Sequence, residues 1–456
     1  MRRAVFLLTP LVILLAAACN GAAEAPTETR PAGPVSITLW HSMPAANEKT
    51  LEALVQRFNA SQDEVVVKLV FQGTYHDSLN KFLASLGRAS ELPALIQMED
   101  ISTQLMIDSG EVTPIQDFID REGYDLSAFE PRVLDRCRVG DRLYSMPFNL
   151  FGPVLYYDKN DFREVGLDPE KPPQTLEEVK EYSEKLLQKD SSGNITRSGI
   201  ALEINPRWFE QMLAKAGALF VNNGNGREGR ATEAVFNGPE GKAISQWWAE
   251  MVKSGLAFNV GRNPSDADNL LAVSAGRASM TIGTSAALRS VFDVIEAGGA
   301  PGVELGVGPL PAPQSPEGGM IASGASLWIV KARPEAEQEA AWKFAKFLVE
   351  PAQQAAWYAG TGHFPIRRDA FNEPAAREAE ARYPYLRVAP EQLQQGARNR
   401  ITQGAIIGPF AKIRDEVIAT AIESMILTDT SPEEAIDRAA RDATELIKEY
   451  NQRVEK

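Results

Sequence analysis

The sequence of 456 residues is poor in the side chains that most metal sites and many catalytic sites require, with two cysteines and three histidines. Neither a Cys and His spacing typical of zinc nor an H-E-x-x-H pair occurs, and the G-x-S-x-G elbow of many hydrolases is also missing. Two cysteines are too few for a disulfide framework. We therefore expect no metal, no cofactor and no catalytic centre.

Basic residues are also few, since 47 Lys and Arg stand against 61 Asp and Glu, for a net charge of −14. Nucleic-acid binders need a basic face, so this class is excluded. Long hydrophobic runs are absent except for "AVFLLTPLVILLAAA" directly after Arg2 and Arg3. That run is too short and too broken by proline for a membrane span and is typical of a signal peptide, predicted over 1–18.

The signal sequence ends in three alanines followed by Cys19, which predicts cleavage by a lipoprotein signal peptidase and lipidation of the Cys19 thiol. Leu15 stands four residues before this cysteine, one further than in the usual lipobox. Residues 19–35 contain few large apolar side chains, so a flexible tether is predicted. We expect an extracytoplasmic protein, in the periplasm or on the outer face of the cell membrane, held there by its lipid alone. Cys137 is expected to be a buried small apolar side chain.

The remaining chain alternates between strand and helix patterns. "VSITLW", "VVVKLVF" and "PALIQM" read as strands, and Leu51, Leu54, Val55 and Phe58 recur at helical spacing between the first two. The order β-α-β-α-β predicts a sheet covered by helices. Thr175 and Glu178 have the spacing of a capping box, and a second α/β series follows, ending in a long amphipathic helix capped by Ser431.

Polar and aromatic residues follow the first three predicted strands. Trp40 and His41 come after the first, Tyr75 after the second, and Glu99 with Asp100 after the third. The carboxyl ends of parallel strands share one edge of a sheet, so these side chains could converge on one cleft. Aromatic rings cover the C–H face of a sugar-like molecule and a carboxylate accepts its hydroxyl protons, a combination that suits a polyol.

Each of these residues also has a structural interpretation. Trp40 and His41 could form the cleft wall and structural hydrogen bonds, and Asp100 could cap a helix that begins near Ser102. Glu99 and Asp100 project to opposite sides of an extended segment, so they do not form a glycosidase pair by themselves. A secreted lipoprotein hydrolase that acts on carbohydrate is the alternative function.

Seven collinear blocks of this sequence carry a family resemblance. They are "WHSM", "QRFNAS", "QGTYHDSLNKFLAS", "LPALIQMED", "PFNLFGPVLYYDKNDFREVGLDPEKPPQT", "GASLWIV" and "TGHFPIRRDAF". The chain resembles, over roughly 36–448, the extracytoplasmic solute-binding component of ABC importers, in the group that contains the glycerol-3-phosphate-binding protein. The resemblance implies a monomeric receptor that captures a sugar, polyol or glycerol-derived solute and delivers it to the transmembrane subunits of an ABC permease.

The fold implied by the resemblance is α/β, a two-lobed periplasmic-binding-protein-like fold of type II in which each lobe is a mostly parallel sheet flanked by helices. The implied division is 36–150 plus 286–330 for lobe I and 151–285 plus 331–456 for lobe II. The chain is expected to cross between lobes near 149–153, near 283–287 and after residue 328. The lobes are expected to close on the solute like a trap.

The resemblance also implies ligand contacts. Tyr75 and Asp100 match the residues that hold the glycerol hydroxyls, and Gly324 in "SGAS" matches a backbone contact from the other side of the ligand. Trp40 and Trp208 are two further candidate ligand-binding residues. The half of the pocket that binds the polyol therefore matches the family pattern.

The positions that hold phosphate in the family differ. Phe151 and Thr284 replace two serines, and His363 replaces a tyrosine. Ile406 aligns with the family arginine. Because a phosphate in a closed cleft needs charge-assisted donors, we expect glycerol-3-phosphate to bind weakly and a neutral sugar or a polyol-bearing ester to be preferred.

An arginine elsewhere could restore that phosphate site. The candidates are Arg207, Arg398 and Arg400, the last two if the alignment register slips by a few residues.

Overall fold

The computed structural model describes residues 33–262 and 267–455. The predicted signal peptide, Cys19 and most of the tether lie outside the described residues. Among the residues that it does describe, none of the helices combines the length and the apolar character needed to cross a membrane.

Fourteen strands are present in the described ranges. They are β1 (Val35–His41), β2 (Val65–Phe71), β3 (Leu95–Glu99), β4 (Val112–Thr113), β5 (Arg138–Val139), β6 (Arg142–Leu143), β7 (Met146–Phe151), β8 (Pro153–Asp158), β9 (Gln188–Lys189), β10 (Ile195–Glu203), β11 (Ala257–Gly261), β12 (Ala278–Thr284), β13 (Leu305–Pro309) and β14 (Ser323–Val330). The three strands predicted at the start of the chain correspond to β1, β2 and β3.

Helices connect and cover these strands. They are α1 (Ala45–Ser61), α2 (Tyr75–Ala84), α3 (Thr103–Asp108), α4 (Ile115–Glu122), α5 (Pro131–Cys137), α6 (Lys159–Glu164), α7 (Leu176–Leu186), α8 (Pro206–Lys215), α9 (Asn222–Gly226), α10 (Pro239–Lys253), α11 (Asp268–Ser274), α12 (Leu288–Glu296), α13 (Glu335–Leu348), α14 (Pro351–Thr361), α15 (Pro374–Arg382), α16 (Val388–Gln395), α17 (Phe410–Lys412), α18 (Ala419–Leu427) and α19 (Pro432–Val454). A π-helical stretch joins α17 to α18, and α9 is a left-handed turn.

Two helices, α7 and α19, begin directly after the capping residues that the sequence predicted. The predicted capping box of α7 is present, because Thr175 Oγ1 accepts from the backbone N–H of Glu178 at 3.1 Å and the Glu178 carboxylate accepts from the backbone N–H of Thr175 at 3.2 Å. Ser431 caps α19 by accepting from the backbone N–H of Glu434. Both predictions are confirmed, because a cap depends on residues that are adjacent in sequence.

The first sheet has the strand order β2-β1-β3-β14-β4, with β7 also paired to β14. β1 pairs in parallel with β2 and β3, whereas β14 is antiparallel to β3, β4 and β7. The sheet is therefore mixed, with two parallel and three antiparallel pairings, because β14 runs against the other five strands near its middle.

The second sheet has the order β11-β10-β12-β8-β13, with β9 at its margin. β10 is parallel to β11 and β12, and β8 is the antiparallel strand between β12 and β13. Both sheets thus follow one plan, and helices flank each of them. The two-lobed α/β fold is confirmed.

The lobe limits differ from the division that the resemblance implied. The helices α13 to α15 bury their apolar faces in the core of the first sheet, although 331–456 had been assigned to lobe II. Conversely, β13 lies in the second sheet, although 286–330 had been assigned to lobe I. The physical reason is that amphipathic spacing defines an apolar face without saying which sheet that face will cover.

The crossings between lobes follow from these positions. The first two predicted crossings are found, where β7 passes through Gly152 into β8 and where β12 is followed by α12 on the first core. No crossing lies directly after residue 328, because the chain stays in the first lobe through α15. It returns to the second sheet before β13, crosses again between β13 and β14, and crosses a last time between α15 and α17.

Candidate functional site

A cleft of about 410 Å³ lies between the two lobes. The residues that line it are Thr74, Tyr75, His76 and Glu99 from the first lobe, and residues 204–207 with Arg262, Arg414, Asp415 and Ala419 from the second. These positions end β3, follow the carboxyl ends of β2, β10 and β11, or lie on the helix that α17 begins. Strand ends of both sheets thus face one space, the usual place for a ligand in an α/β protein.

Tyr75 opens α2 directly after its cap, Thr74, which accepts from the backbone N–H of Asp77 at 3.1 Å. The Tyr75 hydroxyl accepts a hydrogen bond from the Asn149 amide at 3.1 Å, and Asn149 in turn accepts from Gln97 at 2.7 Å. Burial raises the pKa of Tyr75, so the phenol stays protonated. Its O–H proton remains a donor for a solute.

Three charged groups join the lobes across the cleft. Glu99 Oε1 accepts from Arg207 at 3.1 Å and from Arg414 at 3.2 Å. Burial alone would raise the pKa of Glu99, but the attraction of Arg414 and Arg207 is stronger together and lowers it. Glu99 is thus ionised, and one carboxylate oxygen serves two guanidinium groups.

Arg207 has donor capacity beyond this pair. Among the described residues, Glu99 is the only acceptor of its side-chain hydrogen bonds. Its guanidinium carbon lies 5.3 Å from the centre of the Phe151 ring, within cation–π range. Phe151 also meets His363 edge to face at 6.1 Å between ring centres. The structure therefore brings Phe151 to the wall beside Arg207.

Asp100 has partners within the protein. Its Oδ2 lies 3.1 Å from Arg136 Nη2 and accepts from the backbone N–H of Gly324 at 3.3 Å. The start of α3 has no side-chain cap, so Asp100 does not cap the helix near Ser102, which was its alternative structural interpretation. Its contact with solute hydroxyls stays a prediction, whereas Glu99, its neighbour, lines the cleft.

Gly324 occupies a position that only glycine fits. Its φ of +139° lies in a region that L-residues rarely adopt, and a Cβ there would lie 2.2 Å from the carbonyl oxygen of Asn149. The glycine thereby lets β14 approach β7 closely, next to the Asn149 amide that holds Tyr75.

His363 and Thr284 flank this wall with little freedom to rearrange. His363 is 3% exposed, its Nδ1 lies 3.1 Å from Thr361 Oγ1, and burial lowers its pKa to about 3. The imidazole is therefore neutral. The Thr284 carbonyl accepts from the Tyr156 hydroxyl at 2.7 Å, and the residue is half-buried.

Replacing His363 with glutamine is expected to reduce the loss of stability in acid. The unfolded histidine binds a proton below pH 6.5 and the folded one does so only near pH 3, so its contribution is present above pH 6.5 and is lost as pH falls. Between pH 7 and pH 5 the difference is about 2 kcal/mol. Urea unfolding at both pH values measures it.

The matched control is His76→Gln, at an exposed position. It should leave the pH dependence of unfolding unchanged. An equal loss of stability in the His363 variant and the parent protein would contradict the prediction.

Trp40, Trp208 and His41 are not brought to the cleft. Trp40 is 5% exposed in a core cluster on the first sheet, and Trp208 is 2% exposed in the second core, where its indole donates to Glu203 at 2.8 Å. His41 is 1% exposed, and its Nδ1 accepts from the backbone N–H of Met43. All three have structural surroundings. Cys137 is also buried, as predicted, and burial raises its pKa to about 11.

Ile406 does not line the cleft. It is 3% exposed, and its backbone N–H donates to the carbonyl of Asn225. The aligned position therefore supplies no arginine to the cleft, but Arg207, one of the three candidate replacements, lies there together with Arg414. The other two proposed replacements are engaged elsewhere, since Arg398 pairs with Asp135 and Arg400 with Glu228.

Sequence reasoning named Arg207 among the arginines that could restore a phosphate site but missed Arg414, and it examined strand ends only in the first α/β series. Arg207 follows β10 in the second series as Tyr75 follows β2 in the first, so the same signal was available. Arg414 lies within a helix, and no pattern in the sequence marked it as facing the cleft.

Comparison with known proteins identifies the family of this chain. Residues 53–383 match the family described as bacterial extracellular solute-binding protein. The chain belongs to this family. It is thus a solute-binding protein, and the alternative of a carbohydrate hydrolase has no support.

Relatives extend over nearly the whole chain. The sn-glycerol-3-phosphate-binding periplasmic proteins UgpB of Escherichia coli K12 and of Shigella flexneri serotype 5b are each 28% identical over 429 residues, which are 91% of this chain and 93% of theirs. Like these relatives, the solute-binding protein is of an extracytoplasmic class.

Solved structures share its fold. UgpB from Mycobacterium tuberculosis in complex with glycerophosphocholine is 21% identical, with a TM-score of 0.76 over 92% of this chain and 99% of that one. The sugar-binding protein MalE from Xanthomonas citri is 20% identical, with a TM-score of 0.75 over 92% of this chain and 100% of that one.

Proposed function

We propose that this solute-binding protein is the receptor of an ABC importer and captures a small hydroxylated solute that also carries an acidic group, such as a phosphate ester of a polyol. The receptor is a monomer, is anchored through lipid on Cys19, and hands its cargo unchanged to the transmembrane subunits of the permease. The anchor holds it at the periplasmic or outer face of the cell membrane.

The observation that carries the proposal is the sharing of one carboxylate oxygen by two arginines. Glu99 Oε1 is 3.1 Å from Arg207 Nη2 and 3.2 Å from Arg414 Nη1 at the boundary of the cleft. Each guanidinium has five N–H donors in a fork that matches carboxylate and phosphate oxygens. Arg414 also donates to Asp415 at 2.7 Å, so an acidic group in the cleft would supply acceptors above all to Arg207.

Helix geometry supports the same sign of charge. Thr74 and Tyr75 begin α2, and Asn205 to Arg207 begin α8, so the amino ends of two helices border the cleft. Amino ends of helices carry a partial positive charge and attract anions. The Tyr75 hydroxyl is available to the hydroxylated end of the solute.

A neutral sugar is the second candidate, and the half-buried ring of Phe151 favours it. An aromatic face beside the cleft could cover a sugar ring. The two candidates differ in charge. Removing an arginine should weaken the binding of an acidic solute and should leave the binding of a neutral sugar unchanged.

Titration calorimetry is expected to give one-to-one binding of glycerol-3-phosphate or a glycerophosphodiester, with the ligand recovered unchanged. Arg207→Ala should weaken that binding at least tenfold, because a charge-assisted contact is lost. Maltose, glycerol, glycerol-3-phosphate, glycerophosphocholine and glycerophosphoglycerol form the panel.

Arg398→Ala is the matched control, since Arg398 pairs with Asp135 outside the cleft lining. It should bind as the parent protein does. Preference for maltose with no effect of Arg207→Ala would support the neutral sugar instead, and a cleaved product would contradict the receptor role.

A further inference from the structure

Glu210 is a buried acid that has no role in the capture of a solute as proposed above. It lies in α8, one turn after Arg207, and is 6% exposed. Its Oε1 has no hydrogen-bond partner among the residues that the structure describes. A buried carboxylate without a partner disfavours its ionised form. Burial accordingly raises the pKa of Glu210 to about 7.

Charges from both lobes face Glu210. The facing groups and their ion-pair partners are Arg136, Arg207 and Arg414 on the positive side and Asp100, Glu99 and Asp415 on the negative side. Three guanidinium groups thus stand against three carboxylates. The cluster is neutral only while Glu210 carries its proton, and ionisation of Glu210 makes it negative.

An anion in the cleft adds a negative charge beside Arg207 and Arg414, the two arginines that line the cleft and also act on Glu210. The added charge opposes ionisation of Glu210 in a site of low dielectric. We propose that Glu210 takes up a proton when the cleft binds an anionic solute, so that solute and proton are bound together. This inference rests on the proposed function, because it requires an anion in the cleft.

The direction of the effect follows from linkage. Below neutral pH Glu210 is already protonated, so affinity is independent of this group. Above neutral pH each binding event must draw a proton from solvent, and affinity falls by up to tenfold per pH unit. A neutral solute adds no charge and draws no proton.

Glycerophosphoglycerol is the probe of choice, since a phosphodiester has no group of its own that titrates near neutral pH. Calorimetry at pH 8 in buffers of different ionisation enthalpy measures the protons taken up, and we expect between about 0.3 and 1 per ligand. Glu210→Gln, which imitates the protonated acid, should take up none and should keep at pH 8 the affinity that the parent protein has at pH 6.

Glu250→Gln, at an exposed position on α10, is the matched control and should behave as the parent protein. Anion binding without proton uptake, or a pH dependence that survives in Glu210→Gln, would overturn the inference and leave the proposed function intact. If only glycerol-3-phosphate binds, its phosphate can itself take up a proton on binding. Subtracting the proton uptake of Glu210→Gln from that of the parent protein removes this contribution and leaves the proton taken up by Glu210. Binding of maltose alone, or of no probe, would contradict the proposed anionic solute itself.

Discussion

Arg414→Met should abolish binding of glycerol-3-phosphate and lower the free energy of unfolding by about 3 kcal/mol. Arg414 is 7% exposed, and its partner Glu99 is 8% exposed. Without the Arg414 guanidinium, the buried Glu99 carboxylate keeps only Arg207 of its two ion-pair partners. A desolvated negative charge then lacks one of the two positive charges that stabilise it. Urea unfolding at pH 7 and titration calorimetry measure the two effects.

Two further variants test whether the loss of stability comes from breaking the ion pair between Glu99 and Arg414. Arg262→Met changes an arginine that lines the same cleft but is 42% exposed and pairs with Glu423, so stability should change by less than about 0.5 kcal/mol. Combining Glu99→Gln with Arg414→Met removes both ends of the pair and should recover much of the stability without recovering binding. Wild-type affinity in the single Arg414 variant would refute the assigned role.

Gly324→Ala is expected to destabilise the protein by about 3 kcal/mol or more and to weaken solute binding. The added Cβ would lie 2.2 Å from the Asn149 carbonyl oxygen at a φ of +139°. Either β14 moves away from β7 or the backbone rotates. Both changes disturb Asn149, whose amide holds the Tyr75 hydroxyl.

Gly238→Ala provides the control for glycine replacement. Gly238 has a φ of −64°, and its nearest neighbour to a new Cβ is 3.6 Å away. Its stability should stay within about 0.5 kcal/mol of the parent protein. If Gly324→Ala proved equally mild by thermal and urea unfolding, the close approach of β14 and β7 would not be required.

Local features of the fold could be predicted from sequence. Leu51, Leu54, Val55 and Phe58 form the buried face of α1, as their spacing indicated. The cap of α7 was predicted equally well. Such features depend on side chains within one or two turns of each other, so the necessary information is contiguous in the sequence.

Assignment of helices to lobes could not be predicted in the same way. The packing of α13 on β1 and of α14 on α1 joins segments from opposite ends of the chain. An apolar face at helical spacing requires a partner but does not name it. The difference in lobe limits for 331–382 has this cause.

The candidate site shows the same boundary between local and distant information. Strand ends correctly indicated the edge where Tyr75 and Glu99 lie. They did not decide between Glu99 and Asp100, because neighbouring residues face opposite ways and a shift of one residue exchanges them. Trp40 was a candidate because it lies near the end of β1, but its side chain packs in a core.

The position of β14 has a consequence for the order of synthesis. This strand fills the gap between β3 on one side and β4 and β7 on the other, although it follows them by a long stretch of chain that builds most of the second sheet. Until β14 leaves the ribosome, β3 has an open edge and the first sheet is not continuous. The first lobe can therefore be completed only after the strands of the second sheet have been synthesised, so the two lobes cannot fold strictly one after the other in chain order.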